Sequence, residues 1–516
     1  MRYEERPDRL LNFRPLAAAA VGFVCGIGFC AAGGIAFHTA RGAAAVFGVV
    51  LIAAALAVAV YGAVCHNKWL FVVAAAFLLG VARVLIAVPK QFEECSGQVT
   101  GTVISVGIDD GDARPVLKDA SVDGVPVGAR IMLRTEAEKV EGISVGDAVS
   151  VCCEKIKHPS AFYNNYDDRL SRLAAGISLY AWPGEERITV LSRGNAPLFT
   201  AFDNVLGRIK GVIEDIFGAN APIVAGVLLG QRDGIPEEQY SDFVQGGVAH
   251  ILTLSGFHVG ILTAVLFLLL PKRFPWLRLA AAAVFLLFYC GVTGFSSSLV
   301  RASVMSLCVL LAVCVRRRAD LLSSISLAAI LLLSFNPFKL FTAGFQLTFA
   351  ATLGIAFVFS LMDNSAEGRP AWLVSNLLVT LGASTATALI SARYFGHFYP
   401  YSILANLVCV PVLSIAIVMC FVLTAAGFVI PNTCRLLAAV PNALINASRW
   451  LLGRIACLPY SDITAVRPSI LSCVLLLAVM FTASAYVLRP FAKRIKYCIF
   501  SFALFTASVF ADIIWV

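Results

Sequence analysis

Ser255 and His258 stand three residues apart in the run Gly246-Gly247-Val248-Ala249-His250-Ile251-Leu252-Thr253-Leu254-Ser255-Gly256-Phe257-His258-Val259-Gly260. In a helix that spacing puts both side chains on one face. Two chemistries use such a pair. A serine nucleophile with a histidine base would make an intramembrane hydrolase, but helical placement strains the Ser–His hydrogen bond and no acidic orienter lies nearby in sequence. Alternatively, polar groups in an apolar run line a cavity or pathway, because burying them in lipid is costly. A packed helix, with Ser255 bonded to its own backbone and His258 to a neighbour, is the structural alternative. Gly256 and Gly260, four apart, allow close helix contact, and the Ser255-Gly256 step allows local unwinding.

Other chemistry is missing from the sequence. The six histidines (His38, His66, His158, His250, His258, His397) are scattered, without metal-ligand spacing, so no metal and no cofactor is expected. No G-x-x-x-x-G-K-[ST] loop occurs, so energy must come from elsewhere. Most of the 15 cysteines lie in or beside apolar runs, where Cys packs as a small hydrophobe. Cys95, Cys152 and Cys153 differ, because they fall in a polar segment. Facing an oxidising compartment, they allow one disulfide, Cys95 to Cys152 or to Cys153; adjacent strand residues point to opposite faces, so only one of that pair can face Cys95.

The elements that hold these residues are mostly membrane spans. The chain has 516 residues, 59% hydrophobic and 14% charged, against roughly 25% charge in soluble chains. Charge-free stretches cover 15–40, 42–67, 243–271, 279–300, 340–362, 370–392, 394–434 and 468–488. Each matches the roughly 20 apolar residues that cross a bilayer as helix. No cleavable signal pattern precedes them. The fold class is therefore mainly α, a polytopic transmembrane bundle of about 11–13 spans with a small all-β insert. The net charge of +9 sits mostly in clusters flanking apolar runs, where positive-inside topology explains it. Arg2, Arg6, Arg9 and Arg14 put the N-terminus inside. Three spans then place 90–193 outside. Lys272, Arg273 and Arg278, then Arg316 to Arg318, and finally Arg489, Lys493, Arg494 and Lys496 return inside if both 401–430 and 436–458 cross. Pro411, Pro431 and Pro441 make that last region ambiguous.

The domains read as 1–89, a three-span segment; 90–193, an extracytoplasmic domain; 194–247, an amphipathic interfacial helix and loop; and 248–516, the main membrane domain. Residues 90–193 hold 16 of the 31 acids, so this insert is net acidic and solvated. Segments 97–106, 129–135, 144–156 and 175–182 alternate as strands, separated by turns such as Asp109-Asp110-Gly111-Asp112. The step Val145-Gly146-Asp147 resembles a turn entering a barrel strand, which suits an OB-like barrel. Its aromatics are few (Phe162, Tyr163, Tyr166, Tyr180, Trp182), which leaves DNA binding and a docking role both open.

The stretch 228–262, from Leu228-Leu229-Gly230 to Ser255-Gly256-Phe257-His258, resembles the signature of the ComEC-type competence proteins. Three further segments agree in order: Thr293-Gly294-Phe295 with Arg301-Ala302; Asn336-Pro337 with Gly344-Phe345-Gln346-Leu347-Thr348; and Phe395 with Leu404-Ala405-Asn406-Leu407 and Pro411. The early spans and the insert fit as well. The resemblance implies a non-enzymatic inner-membrane channel that imports single-stranded DNA during natural transformation. Its path would be lined by Ser255, His258, Arg301, Gln346 and Asn406, with Arg301 either holding phosphate or capping a neighbouring helix. Implied partners are membrane lipid, an external DNA receptor, a cytoplasmic helicase-like ATPase and a separate nuclease, and an oligomer is compatible. The metallo-β-lactamase-like nuclease domain of many members, with its His-x-His-x-Asp-His motif, is not expected in this form. A small-molecule or lipid transporter is the main alternative, and the hydrolase the lesser one.

Overall fold

The computed structural model describes residues 15–36, 68–88, 94–109, 112–128, 130–140, 142–159, 168–185, 187–194, 197–231, 234–252, 256, 259–260, 262–263, 266, 270–271, 273–315, 321–362, 372–464, 468–484 and 491–514. The expected span 43–65, eleven of the residues 248–270, the N-terminal arginines, Arg316 to Arg318, Arg489, Phe162, Tyr163 and Tyr166 lie outside them. Two compact units emerge: one holds 18–204 with 329–342, the other 1–17, 205–328 and 343–516.

The first unit joins a helix pair to a barrel. Helices α1 (Pro15–Ala36) and α2 (Lys68–Ala87) touch backbone to backbone. A Cβ added at Gly22 or Gly26 would overlap the carbonyls of Val73 or Phe77, and one at Gly80 the carbonyl of Phe23. Small residues one turn apart give apolar helices in lipid this close van der Waals fit.

The barrel has five main strands, β1 (Cys95–Asp109), β2 (Asp112–Val122), β3 (Arg130–Leu133), β4 (Ala148–Lys157) and β5 (Ile177–Pro183). Their neighbours run β1-β2-β3-β5-β4, and β4 pairs back with β1 to close the ring; β3–β5 is the parallel pair. This is the five-stranded Greek-key order of an OB barrel. β1 serves both β2 and β4, and register shifts at Thr100/Thr102 and Val103/Ser105 bend it as closure requires. Inside lie Val99, Val103, Leu117, Ile131, Leu133, Val149, Ile156 and Leu179. Four of the strands fall on the four expected segments. β2 does not, because the charges and proline in Asp112-Ala113-Arg114-Pro115-Val116-Leu117-Lys118-Asp119 obscure its alternation.

The same unit contains the end of helix α9 (Leu321–Phe335) and the 3-10 turn Pro337–Phe341. Arg83 of α2 donates to the carbonyls of Ser334 and Phe335 at 2.6 and 2.7 Å, satisfying orphan acceptors at the helix C-terminus. Asn336 accepts from the Phe338 N–H (3.0 Å) and donates to the Leu173 and Ala174 carbonyls (3.3 and 3.0 Å) that end helix α3 (Asp168–Ala174). The Asn336-Pro337 motif is thus a staple between a membrane helix and the barrel's short helix.

In the second unit, α4 (Pro197–Phe217) breaks at Gly218 (φ 54°) into a 3-10 turn and α5 (Ala221–Leu229), followed by α6 (Glu237–Gln245). Next come α7 (Pro275–Val292), α8 (Ser297–Cys314), α10 (Ala343–Met362), α11 (Trp372–Phe395), α12 (Ser402–Gly427), α13 (Pro431–Leu437), α14 (Ala439–Ala456), α15 (Ile470–Ala483) and α16 (Phe491–Ile514). The main core joins Ile213, Ile216 and Phe217 of α4 with α5, α6, α12 and α14. Gly427 lets Ile216 and Val212 approach α12, where a Cβ would collide with both. On the apolar face of α4, Ile213, Ile216 and Phe217 are buried in this core, with Leu206, Ile209 and Val212 partly buried against it.

Among the described residues seven helices are long and apolar enough to cross a membrane: Leu70–Ala87, Asn204–Leu229, Pro275–Val292, Ser297–Cys314, Ala343–Ser360, Val374–Phe395 and Ser402–Gly427. Shorter apolar helices cover Pro15–Ala31, Leu321–Phe335, Ile470–Ala483 and Tyr497–Val509. This is a multi-pass membrane protein with a β-barrel domain. α14 carries Asn442, Asn446, Arg449 and Arg454 and is not among the seven. α12 is continuous through Pro411.

Candidate functional site

The signature segment begins where α5 ends. Gly230 adopts the left-handed conformation (φ 76°) that terminates the helix, and its N–H returns to the Gly226 carbonyl at 2.9 Å. The Tyr289 hydroxyl, buried on α7, donates to the carbonyl of Leu228. Gly247 (φ 69°) abuts Ser402, the first residue of α12, so closely that a Cβ would overlap its side chain; Gly246 faces Leu452 of α14 in the same way. The double glycine is therefore a packing requirement. It delivers the chain into the 3-10 turn Ala249–Leu252, where Ile251 and Leu252 are buried.

Of the residues read from sequence, Ser255 and His258 lie outside the described residues. Gly256 is within them, and a Cβ there would make ordinary contact with Ala302 (3.7 Å); a Cβ at Gly260 would meet no described atom within 4 Å. Val259 and Leu262 pack with Leu286, Tyr289, Leu299 and Ala302. This part of the signature therefore sits against α7 and the first turns of α8.

The turn Thr293-Gly294-Phe295 joins α7 to α8. Gly294 (φ 65°) and Phe295 (φ 53°) both occupy the left-handed region, and an aromatic residue there is strained. The Phe295 N–H to Cys290 carbonyl bond (2.7 Å) and the Thr293 hydroxyl on the Tyr289 carbonyl (3.0 Å) hold it. Ser296 then precedes α8 but gives it no side-chain cap, and its hydroxyl is buried without a partner.

Arg301 follows in the second turn of α8 and is 5% exposed. It donates to the hydroxyls of Ser297 (2.8 Å) and Thr348 of α10 (3.1 Å), and its Nε is buried without a partner. The Thr348 hydroxyl donates to the Gly344 carbonyl at 2.7 Å, so towards Arg301 it is an acceptor. A Cβ at Gly344 would stand 3.2 Å from the guanidinium, which makes glycine the residue that leaves it room. Leaving a buried donor unsatisfied costs about 1–3 kcal/mol, more for a charged group. Ser297, Gly344 and Thr348 were not singled out by sequence, although the last two lie in the quoted motif one helical turn apart.

Among the described residues, the hydrogen bonds of Arg301 run to Ser297 and Thr348, and not to Gln346 or Asn406. Gln346 is half-buried on α10, about 200° round the helix from Gly344 at 100° per residue. Asn406, in the second turn of α12, is 9% exposed, and its Oδ1 has no partner.

The three barrel cysteines are free thiols. Cys153 is buried in the barrel core, opposite Gly97 in register, and Cys95 packs against the same core opposite Ile156. Cys152 is exposed. Burial, then the neighbouring Cys152 and Cys95, pushes the Cys153 thiol up to about 12.

The sequence profile of the family described as "Competence protein" matches residues 227–490, half of the chain. The chain belongs to the competence protein family. It is similar to "ComE operon protein 3" of Bacillus subtilis (strain 168), at 33% identity over 195 residues, 37% of this chain and 24% of that protein. It is also similar to a protein of Aquifex aeolicus (strain VF5) described as uncharacterized, at 29% identity over 184 residues, 36% of this chain and 41% of that one. The matched parts thus span between a quarter and two fifths of these relatives. No solved structure matches. The matched region begins at the end of α5 and takes in the α7–α8 turn, Arg301, the start of α10 and Asn406.

Proposed function

We propose that this competence-family chain is a bacterial inner-membrane conduit for single-stranded DNA during natural transformation, with residues 90–193 on the outer face. The observation that carries the reading is Arg301: a guanidinium 5% exposed, inside an apolar bundle, answered among the described residues by two hydroxyls. Charges at membrane depth are expensive and mark substrate or ion pathways. Asn406 supports it with a second buried, partnerless polar atom. Ser255, His258 and Gln346 complete the proposed lining. A strand that must leave as well as enter is best served by weak, multiple contacts of this kind.

The proposed conduit works with partners: membrane lipid, an external receptor, a cytoplasmic helicase-like ATPase and a nuclease that degrades the other strand. The test is uptake of labelled DNA in a deletion strain complemented with the wild type, Arg301→Met or Asn406→Leu. Wild-type complementation restores internalised label. Each variant is expected to lose at least about ten-fold while membrane levels of the protein stay normal, as expected for loss of a charge-assisted contact. A deletion strain that internalises labelled DNA normally overturns the proposal.

A further inference from the structure

We propose that the first turn of α8 is a phosphate site, built by Arg301 with Ser296, Ser297 and Thr348, that holds the phosphodiester of a passing strand. The source of the phosphate rests on the conduit reading; the oxyanion chemistry rests on the geometry below.

Arginine stays charged in proteins, and its flat fork matches phosphate oxygens in pairs. Arg301 is nine-tenths buried or more, yet among the described residues no carboxylate pairs with it, and Nε has no acceptor at all. Both of its partners are neutral. Its Nη1 bond to Ser297 Oγ fixes the guanidinium against the first turn of an 18-residue helix, the positive end of the helix dipole. A cation held there is repelled by the helix, so the arrangement stabilises neither Arg301 nor α8.

Two kinds of neighbouring donor go without a side-chain acceptor among the described residues. The first-turn N–H groups receive no side-chain cap from Ser296, whose own hydroxyl is enclosed and partnerless. The proton of Thr348 Oγ1 is directed to the Gly344 carbonyl. Uncapped N–H groups, a buried hydroxyl and the Nε edge of a guanidinium make a donor-rich corner suited to an oxyanion. A helix C-terminus or a carbonyl would satisfy the arginine in a capping role, as the carbonyls of Ser334 and Phe335 do for Arg83. At Arg301 no such acceptor is supplied among the described residues. That contrast separates an anion site from a helix cap. Gly344 gives the guanidinium its room, since a Cβ there would stand 3.2 Å from it.

The test uses the full chain purified into phosphatidylcholine nanodiscs. Anisotropy measures binding of a fluorescent single-stranded oligonucleotide and of an abasic phosphodiester chain of equal length. Arg301→Met, Thr348→Val and Gly344→Val are each expected to weaken both probes by about ten-fold, and Arg301→Met to lower the salt slope by about one unit. Arg301→Lys should retain part of the binding. If Arg301→Met fails to fold, Thr348→Val, which removes one neutral hydroxyl, carries the comparison. Unchanged affinity and salt slope in folded variants overturn the site. A second arm measures phospholipid retained from phosphatidylglycerol nanodiscs: loss of lipid in the variants with oligonucleotide binding unchanged overturns the strand as occupant. Weakened binding together with normal uptake in the deletion strain would leave the site standing and remove the conduit reading. Lost uptake with unaltered binding would do the reverse.

Discussion

Asp147 brings its carboxylate almost fully under cover at the mouth of β4, where it accepts from the N–H of Ser144 (2.9 Å) and of Gly194 (3.0 Å). Those two backbone donors, in that order, hold the carboxyl below its ordinary value against the opposing effect of burial. A carboxyl depressed in the folded state contributes stability that is complete above its unfolded value, roughly pH 3.9, and is lost as pH falls through the folded value. Asp147→Asn is expected to destabilise the barrel by about 1–3 kcal/mol near neutrality. Protease nicking between residues 94 and 194 in the full chain should reveal the gap at pH 7 and show it shrinking below about pH 4. A gap that stays constant at low pH refutes the assignment. At this scale the sequence is uneven as a guide. The turn at Val145-Gly146-Asp147 is legible because glycine and aspartate there have a single use, and Gly146 indeed sits at φ 102°. Arg301 is legible because a charge in an apolar run is rare. Thr348 and Ser297 are not, since hydroxyls inside helices usually return to their own carbonyls, as Thr352 and Ser326 do here. Nothing in the local sequence separates a hydroxyl that also serves a neighbouring helix.

Helix pairs in this chain are set by where the backbone is bare. α10 and α11 cross at Gly354 and Gly382, each lying against the other's carbonyl, so that a Cβ on either would collide with its partner. Gly354→Val should force the pair apart at a cost of about 1–3 kcal/mol, the usual penalty of overpacking. Thermal unfolding of the purified chain reads the loss. Gly260→Val, with no described atom within 4 Å of its Cβ, serves as the comparison and should change stability far less. Equal losses at the two positions would show that helix propensity, not the crossing, sets the cost. Among the described residues, close approaches of one helix backbone to another are at Gly22, Gly26, Gly80, Gly354 and Gly382. Spacing identifies small faces, but a close approach needs two such faces at one depth, and that pairing is tertiary. The same limit hid β2, whose partners on β1 and β3 rescue a strand too charged to announce itself.

At the scale of the whole molecule, the contacts of the second unit sort its loops into two ends. His397–Phe398 pairs with Ile463–Thr464, and Gly246 and Gly247 lie against Leu452 and Ser402, so these segments share one end. Asp215 pairs with Arg435, Asn220 with Asn442, and Gly427 meets Val212 and Ile216, so these share the other. Composition and charge already implied that division, because the positive-inside reading puts 397–402 and 456–464 outside and 427–438 inside. The amphipathic pattern of α4 is equally that of a helix lying on lipid and one whose apolar face packs on α12. The positive-inside reading predicts sidedness. In a background otherwise without cysteine, the exposed native Cys152 should react with a membrane-impermeant maleimide in intact cells. Leu436→Cys, at an exposed position on α13, should react only after permeabilisation. The second site also tests α4, because Asp215 travels with Arg435. Labelling of both positions from outside would break the link between basic clusters and the cytoplasmic end. A reversed pattern would invert the whole bundle and move the start of α8, with Arg301, to the opposite face.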